Sequence, residues 1–382
     1  MTDQRENNAM GALSSIVLPE GHKFLRAVPV EKQDDEAFVA SYDNQTLFYD
    51  VFYDGSNNLV RMIGPDLRNL KNYFKNAILE VDGVEVQERN IVKLGPRTNE
   101  VTFSSPHPDP KHLRLFQPRT PQFEEVVEIN RSNLEKFRGK NALVAISKNN
   151  DLQWIEDWLT FYSRRHGANA VVLIDNGSDA YSPEDIRQTI SKVKAIEAAE
   201  VISAPFPFGP RATTRVEIGS KFLHLSMLHI AHRKYLAEAN AVLSVDIDEL
   251  VLGRDEETVF SAVKSTADGY MSIRGRWRYA RKPEGSAKVT HADHILQRRG
   301  ADARMQPKWC LDPQGPLAGR YWRVHGISGA QRNFEHHFYY LHCRQITTSW
   351  DYARGFEDEE NFEEAQDASS LQEVFEGVSS PT

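Results

Sequence analysis

Cysteine is nearly missing: Cys310 and Cys343 are the only two among 382 residues. Two thiols cannot staple a chain of this length, and their scarcity points to a reducing compartment. Long apolar runs are missing as well, since no stretch reaches the roughly 18 to 20 consecutive apolar residues of a membrane span. The opening segment MTDQRENNAMGALSSIVLPEG has neither the basic start nor the apolar core of a signal peptide. The expected location is cytoplasmic, at most peripheral at the inner face of a membrane. Bases are outnumbered, 46 Lys+Arg against 54 Asp+Glu for a net charge of −8, which argues against a general nucleic-acid binder. No internal repeat is evident. No H-E-x-x-H accompanies His224, His229 and His232, so these read as packing or surface residues.

The charge that is present is polarised along the chain. Residues 351–382 hold ten acids against the single base Arg354, and residues 274–344 hold fourteen Lys and Arg against five acids. Trp277, Tyr279, Trp309, Tyr321 and Trp322 are interleaved with those bases. Cations beside aromatic rings suit phosphates, sugars or bases, but no RNA-binding signature accompanies the patch. The acidic tail reads as a solvating, disordered end, or as a shield for the basic face.

Texture divides the rest. Residues 1–20 are polar and expected to be disordered. Over 21–120, short runs such as TLFYDVFYD and AILEVDG alternate with turn signals, which predicts a small antiparallel β domain. Asp82-Gly83 suits a two-residue hairpin. Prolines in SSPHPDPKH and QPRTPQ lead into a linker, expected over 121–140. From 141 to 350 strands and helices alternate. NALVAIS (141–147) is a buried strand, and Asp151 caps an amphipathic helix that ends before Gly167. AVVLID (170–175) is a second strand, and Ser182-Pro183 opens a second helix. A third strand at 201–204 and a long helix over 215–239 precede a fourth strand, 241–245. The pattern predicts an α/β domain with a mainly parallel sheet and helices on both faces, whose ligand crevice lies outside the strand C-termini.

Two of those ends are acidic: Asp175 closes the second strand, and Asp246-Ile247-Asp248-Glu249 follows the fourth. In continued strand geometry Asp246 and Asp248 would share a face and reach one ligand. Paired carboxylates suit Mn²⁺ or Mg²⁺ bridging to a diphosphate, which the metal stabilises as it leaves. An isolated D-x-D also occurs simply as a solvated strand end.

The segment VLSVDIDELV resembles the D-x-D-E signature of glycosyltransferases with the GT-A fold. VAISKNNDLQWIEDWLTFYSRRHGANAVVLIDNGSD is similar to their opening, in the family 2 type and its family 92-like branch. The likeness covers about residues 141–350 and implies a Rossmann-like GT-A domain. It implies that Asp175 contacts the donor nucleoside, that Ser147 and Asn149 border the base, and that Asp246 lies near the ribose and the metal. Asp248 is implied as the direct metal ligand. Glu249 would hydrogen-bond an acceptor sugar or brace the loop. The family order Lys, His, His-Tyr corresponds to Lys308, His325 and His342, with Cys343 where Tyr is common. His342 would complete the metal site, and Lys308 and His325 would meet the diphosphate. The implied activity is transfer of a hexose, such as galactose, from a UDP-sugar to a hydroxyl of a glycan or polysaccharide, with inversion. A base must then take the acceptor proton, and Asp293, Asp312 and Glu335 are the candidates, with Glu335 and Asp293 carried forward. The β domain would bind acceptor or make a homodimer. Two alternatives stand beside this reading: a haloacid-dehalogenase-like phosphatase using Asp246, and a non-catalytic glycan-binding protein.

Overall fold

The computed structural model describes residues 11–119, 121–211, 213–254, 256–282, 288–334, 336–348, 356–357 and 359–376. The chain divides into two compact units, Met1–Leu134 with Ser203–Tyr235, and Glu135–Ile202 with Leu236–Thr382.

The first unit is built on antiparallel β structure, as its alternating runs predict. One sheet orders Phe123–Glu128, His112–Gln117, Ile78–Val81 and Val84–Glu85. Another orders Asn130–Arg131, Asp50–Asp54, Leu59–Pro65, Thr98–Ser104 and Asn90–Leu94. The Asp82-Gly83 hairpin forms with both residues at positive φ, 48° and 85°, the two left-handed positions that such a turn requires. Leu47, Phe48, Val51, Met62, Leu79 and Leu115 fill its core.

Three boundaries differ from expectation. Within 1–20, residues 1–10 lie outside the described residues, but Ile16–Val17 pair with Thr46–Phe48, because Ile16 and Leu18 are apolar and fully buried. The expected linker 121–140 carries the strand Phe123–Glu128 and the short helix Leu134–Phe137. Phe123–Glu128 completes a sheet edge beside His112–Gln117. The long helix is broken into Arg215–Ile218, Leu223–Ala231 and a π-turn at His232–Leu236. Gly219 and Ser220, poor helix formers, sit at the break. Most of this segment clusters with the first unit rather than with the α/β domain. His229 and His232 are buried there, as packing residues are.

The second unit carries the predicted α/β pattern. In chain order its elements are β1 (Asn141–Ser147), α1 (Leu152–His166), β2 (Ala170–Asp175), α2 (Pro183–Lys192), β3 (Ala198–Ser203), β4 (Ala241–Ser244), β5 (Glu249–Leu252), α3 (Val259–Lys264), β6 (Tyr270–Arg278), β7 (Leu296–Arg298), β8 (Lys308–Leu311), β9 (Tyr339–Cys343), β10 (Phe362–Glu364) and α4 (Ala368–Phe375). An eight-stranded mixed sheet runs β3-β2-β1-β4-β8-β6-β9-β5 and is flanked by helices. β1 is parallel to both β2 and β4, β6 is parallel to β9, and β8 is antiparallel to its neighbours. The helix signals hold: the Asp151 side chain accepts from the Gln153 N–H, Gly167 ends α1 at φ 68°, and Ser182 with Asp185 forms a capping box. Ile155, Trp158 and Leu159 of α1 join Leu143, Leu173 and Leu243 of the strands in one core.

The acidic C-terminal segment is not a solvated end where it is described. β10 pairs with β7, and α4 buries Ala368 and Leu371. Asp367 accepts a two-pronged contact from Arg278, at 3.0 Å from Nε and 2.6–2.8 Å from Nη2, and Tyr339 Oη donates to it at 3.0 Å. Glu357 pairs with Arg298 and, at 3.2 Å, with Arg344. The described part of the tail and the basic segment are opposite charges folded onto each other, and the buried Phe362, Ala365, Ala368 and Leu371 between the acids supply the apolar contact.

Candidate functional site

The sheet brings the sequence-predicted residues to the C-terminal ends of β1, β2 and β4. Ser147 and Asp175 lie opposite each other at the ends of the parallel strands β1 and β2. Both are buried. The Ser147 Oγ accepts from Asn150 Nδ2 at 2.9 Å. Asp175 accepts from the Ser178 hydroxyl, and both its carboxylate oxygens lie 3.3 Å from the Ser178 N–H. Asn149, at φ 56°, ties the two loops together: its Nδ2 donates to Asp179 at 2.8 Å and its Oδ1 accepts from the Asp179 N–H at 2.9 Å. These residues make a cross-linked floor.

Beyond β4 the chain does not continue as a strand. The Glu249 N–H donates to the Asp246 carbonyl at 3.1 Å, closing a turn, and the Glu249 Oε2 accepts from the Asp246 N–H at 2.8 Å. The two aspartates therefore take different partners rather than sharing one face. Asp246 pairs with the ammonium of Lys308, which starts β8 beside β4. Asp248 Oδ2 lies 2.8 Å from His342 Nε2. β5 pairs with β9 in a register that sets Glu249 directly opposite His342, and Glu249 Oε1 is 3.9 Å from His342 Nδ1. Among the described residues, Asp248, Glu249 and His342 form a group whose ligand atoms all lie within 4.8 Å of one another. Two carboxylates and an imidazole suit Mn²⁺ or a similar divalent ion.

Electrostatics tighten the cluster. Glu249 is essentially buried, and its Oε2 lies 2.9 Å from Lys308 Nζ. Burial raises the Glu249 carboxyl to about 7; Lys308 opposes the rise and Asp246 adds to it. Burial also works against the Lys308 charge, but Asp246 and Glu249 hold it well above the usual lysine range. The imidazole of His342 stacks on Trp277, ring centres 4.3 Å apart and 19° from parallel, and its Nδ1 is 3.2 Å from Met305 Sδ.

His325 and Asp293, also expected at the site, take local partners. His325 sits before the strand Gly326–Ile327 with its Nδ1 3.3 Å from the carbonyl of Pro307, next to Lys308. Asp293 closes a local turn, where its Oδ2 accepts from the Thr290 N–H at 2.7 Å and from the Thr290 hydroxyl at 2.9 Å. Glu335 lies outside the described residues. Cys343 donates its backbone N–H to the Asp248 carbonyl at 2.8 Å while its side chain is buried, so the residue serves the site through its main chain. Sequence reasoning leaves Glu249 between two roles and misses the Trp277 stack. The D-x-D-E spacing flags Glu249, but only the β5–β9 register shows which histidine it meets.

Neither a protein-family model nor a curated protein matches the chain. Among solved structures it is similar to S. aureus TarS 1-349 in complex with UDP, at 13% identity and a TM-score of 0.27, over 50% of this chain and 52% of that one. It is similar to the mannosyltransferase Ktr4p from S. cerevisiae in complex with GDP, at 11% identity and a TM-score of 0.25, over 64% of this chain and 56% of that one. A third is core-mannan synthase A from Aspergillus fumigatus in its Mn/GDP form, at 10% identity and a TM-score of 0.24, over 37% and 42%. The match spans only 24% of a longer TarS chain. No helix among the described residues is long and apolar enough to cross a membrane.

Proposed function

We propose that this protein is a metal-dependent glycosyltransferase that transfers a hexose from a UDP-sugar to a hydroxyl of a glycan or polysaccharide. One observation carries the reading: Asp248, Glu249 and His342 converge at the strand edge where β1, β2 and β4 end, with Lys308 beside them. In an α/β sheet that edge is where ligands bind. Asp248, Glu249 and His342 would hold Mn²⁺ or Mg²⁺, whose bound charge would neutralise the departing diphosphate. Lys308 would add positive charge for the same phosphates, and the Ser147–Asn149–Asp175 floor would offer acceptors for a base or ribose. The D-x-D-E segment supports the same reading.

The test is donor hydrolysis by the full-length protein with Mn²⁺, across UDP-, GDP- and CMP-sugars. Turnover of a UDP-sugar that disappears with chelator and with Asp248→Asn is expected. Full turnover in Asp248→Asn, or no nucleotide-sugar cleavage and no nucleotide binding, overturns the proposal. A covalent aspartyl-phosphate at Asp246 would instead establish the phosphatase chemistry.

A further inference from the structure

Three carboxylates, Asp246, Asp248 and Glu249, occupy four consecutive residues, and the ammonium of Lys308 contacts two of them, Asp246 and Glu249. The Lys308 side chain is 6% exposed, contacts Asp246 Oδ2 and lies 2.9 Å from Glu249 Oε2. Its backbone is locked, with Ile273 opposite it on β6. Only the four-carbon stem leaves the ammonium room to move.

Glu249 is shared between two cation positions. Its Oε2 faces Lys308, and its Oε1 faces the His342 ring. A divalent ion held by Asp248, Glu249 and His342 would therefore share one carboxylate with an ammonium, and the two cations would repel in a site with little water to screen them. A nucleoside diphosphate removes that conflict by offering the ammonium a second anionic partner.

Resting on the donor-site reading above, we infer that Lys308 is an internal counter-ion, which competes with the divalent metal for the acidic turn and transfers to the diphosphate when a nucleotide binds. Metal and nucleotide then bind cooperatively, each tightening the other by the same factor, because coupling between two ligands is reciprocal. Lys308 is in this sense a positioning residue for the metal as well as a phosphate contact. It keeps the carboxylates compensated when no donor is present, which lowers the cost of holding three acids together in a partly buried turn.

The experiment measures Mn²⁺ binding by electron paramagnetic resonance and UDP binding by calorimetry, each with and without the other, on the full-length protein. In the wild type, UDP is expected to tighten Mn²⁺ at least about tenfold, and Mn²⁺ to tighten UDP equally. Lys308→Met is expected to bind Mn²⁺ alone at least about tenfold more tightly than the wild type, and to lose most of the coupling. Lys308→Gln, which keeps hydrogen-bonding capacity toward both acids, gives the same readout where the methionine variant does not fold. Lys308→Arg keeps the charge and is expected to retain weak binding of Mn²⁺ alone. Mn²⁺ affinity unchanged or weakened in both neutral variants overturns the inference, and coupled Mn²⁺ and UDP binding by the wild type would then leave the donor-site reading standing. A wild type that binds neither probe overturns both.

Discussion

His342 Nε2 lies 2.8 Å from Asp248 Oδ2 although 94 residues separate them in the chain. The contact follows from a backbone register: β5 and β9 are antiparallel, Glu249 faces His342, and the Cys343 N–H reaches back to the Asp248 carbonyl at 2.8 Å. A slip of one residue would turn His342 to the opposite face and dismantle the cluster.

Removal of the imidazole tests this contact directly. His342→Ala is expected to weaken Mn²⁺ binding in the presence of UDP by roughly 100-fold, the scale on which even outer partners of a metal site matter. Undiminished Mn²⁺ affinity would show that the ion is held elsewhere.

Trp277 meets the site at His342, by the 4.3 Å stack. Trp277→Leu is expected to weaken Mn²⁺ about tenfold with the fold retained, and Trp277→Phe to recover most of the loss. Equal effects of Leu and Phe in the Mn²⁺ titration would rule out stacking as the cause.

Gly275 lies opposite Tyr340 in the β6–β9 pair, and a Cβ there would come within 2.3 Å of the tyrosine ring. Tyr340 Oη donates to the Gln306 carbonyl at 2.7 Å, two residues before Lys308. Gly275→Ala must displace that ring, and we expect a loss of about 1–3 kcal/mol in urea unfolding, the usual range for overpacking. Gly275→Ala combined with Tyr340→Ala should not add its clash term; full additivity of the two losses would contradict the steric account.

The Arg278–Asp367 pair anchors the acidic segment from a largely buried position. Asp367→Ala strands the guanidinium, so a loss of about 3–5 kcal/mol is expected, whereas Arg278→Met with Asp367→Leu should recover much of it. Deletion of residues 357–376 should likewise lower the unfolding midpoint, since Leu371 and Phe362 are buried. An unchanged midpoint after deletion would return the segment to the status of a solvated tail.

His166 and His294 set a pH dependence. Each is buried, and burial holds each at about 3. Each is neutral with both nitrogens engaged: His166 Nε2 donates to the Val251 carbonyl at 2.7 Å while its Nδ1 accepts from the Val259 N–H, and His294 Nδ1 donates to the Thr290 carbonyl while its Nε2 accepts from the Gln345 N–H. With folded values below the unfolded value of about 6.5, the unfolded chain protonates first. Stability is full above about pH 6.5 and falls toward pH 3, at up to ~1.4 kcal/mol per pH unit for each residue. Urea titrations at pH 7.5, 6 and 5 measure the slope, and His166→Gln should reduce it. A flat profile across that range would refute the assignment.

Local rules make part of this legible. The Asp151 cap, the Gly167 stop, the Ser182 capping box and the Asp82-Gly83 hairpin depend on neighbours in sequence, and all four form as expected. The break at Gly219-Ser220 escapes such rules, because the apolar period continues across it and only the poor helix propensity of two residues marks the stop. The tail misleads for a different reason: its charge is conspicuous in composition, while basic residues that its acids pair with, among them Arg278, Arg281, Arg298, Arg299 and Arg344, are spread over the preceding segment.

By itself the sequence determined the near absence of cysteine, the alternating strands and helices, and the acidic D-x-D-E turn at a strand end. Those properties are written in residues close together in the chain, where propensity, capping and period suffice. Only the tertiary structure decided that Asp246 turns to Lys308 while Asp248 turns to His342, and that Glu249 stands between them. The reason is geometric: side-chain partners across a sheet are set by register between strands many residues apart, and no local pattern specifies that register.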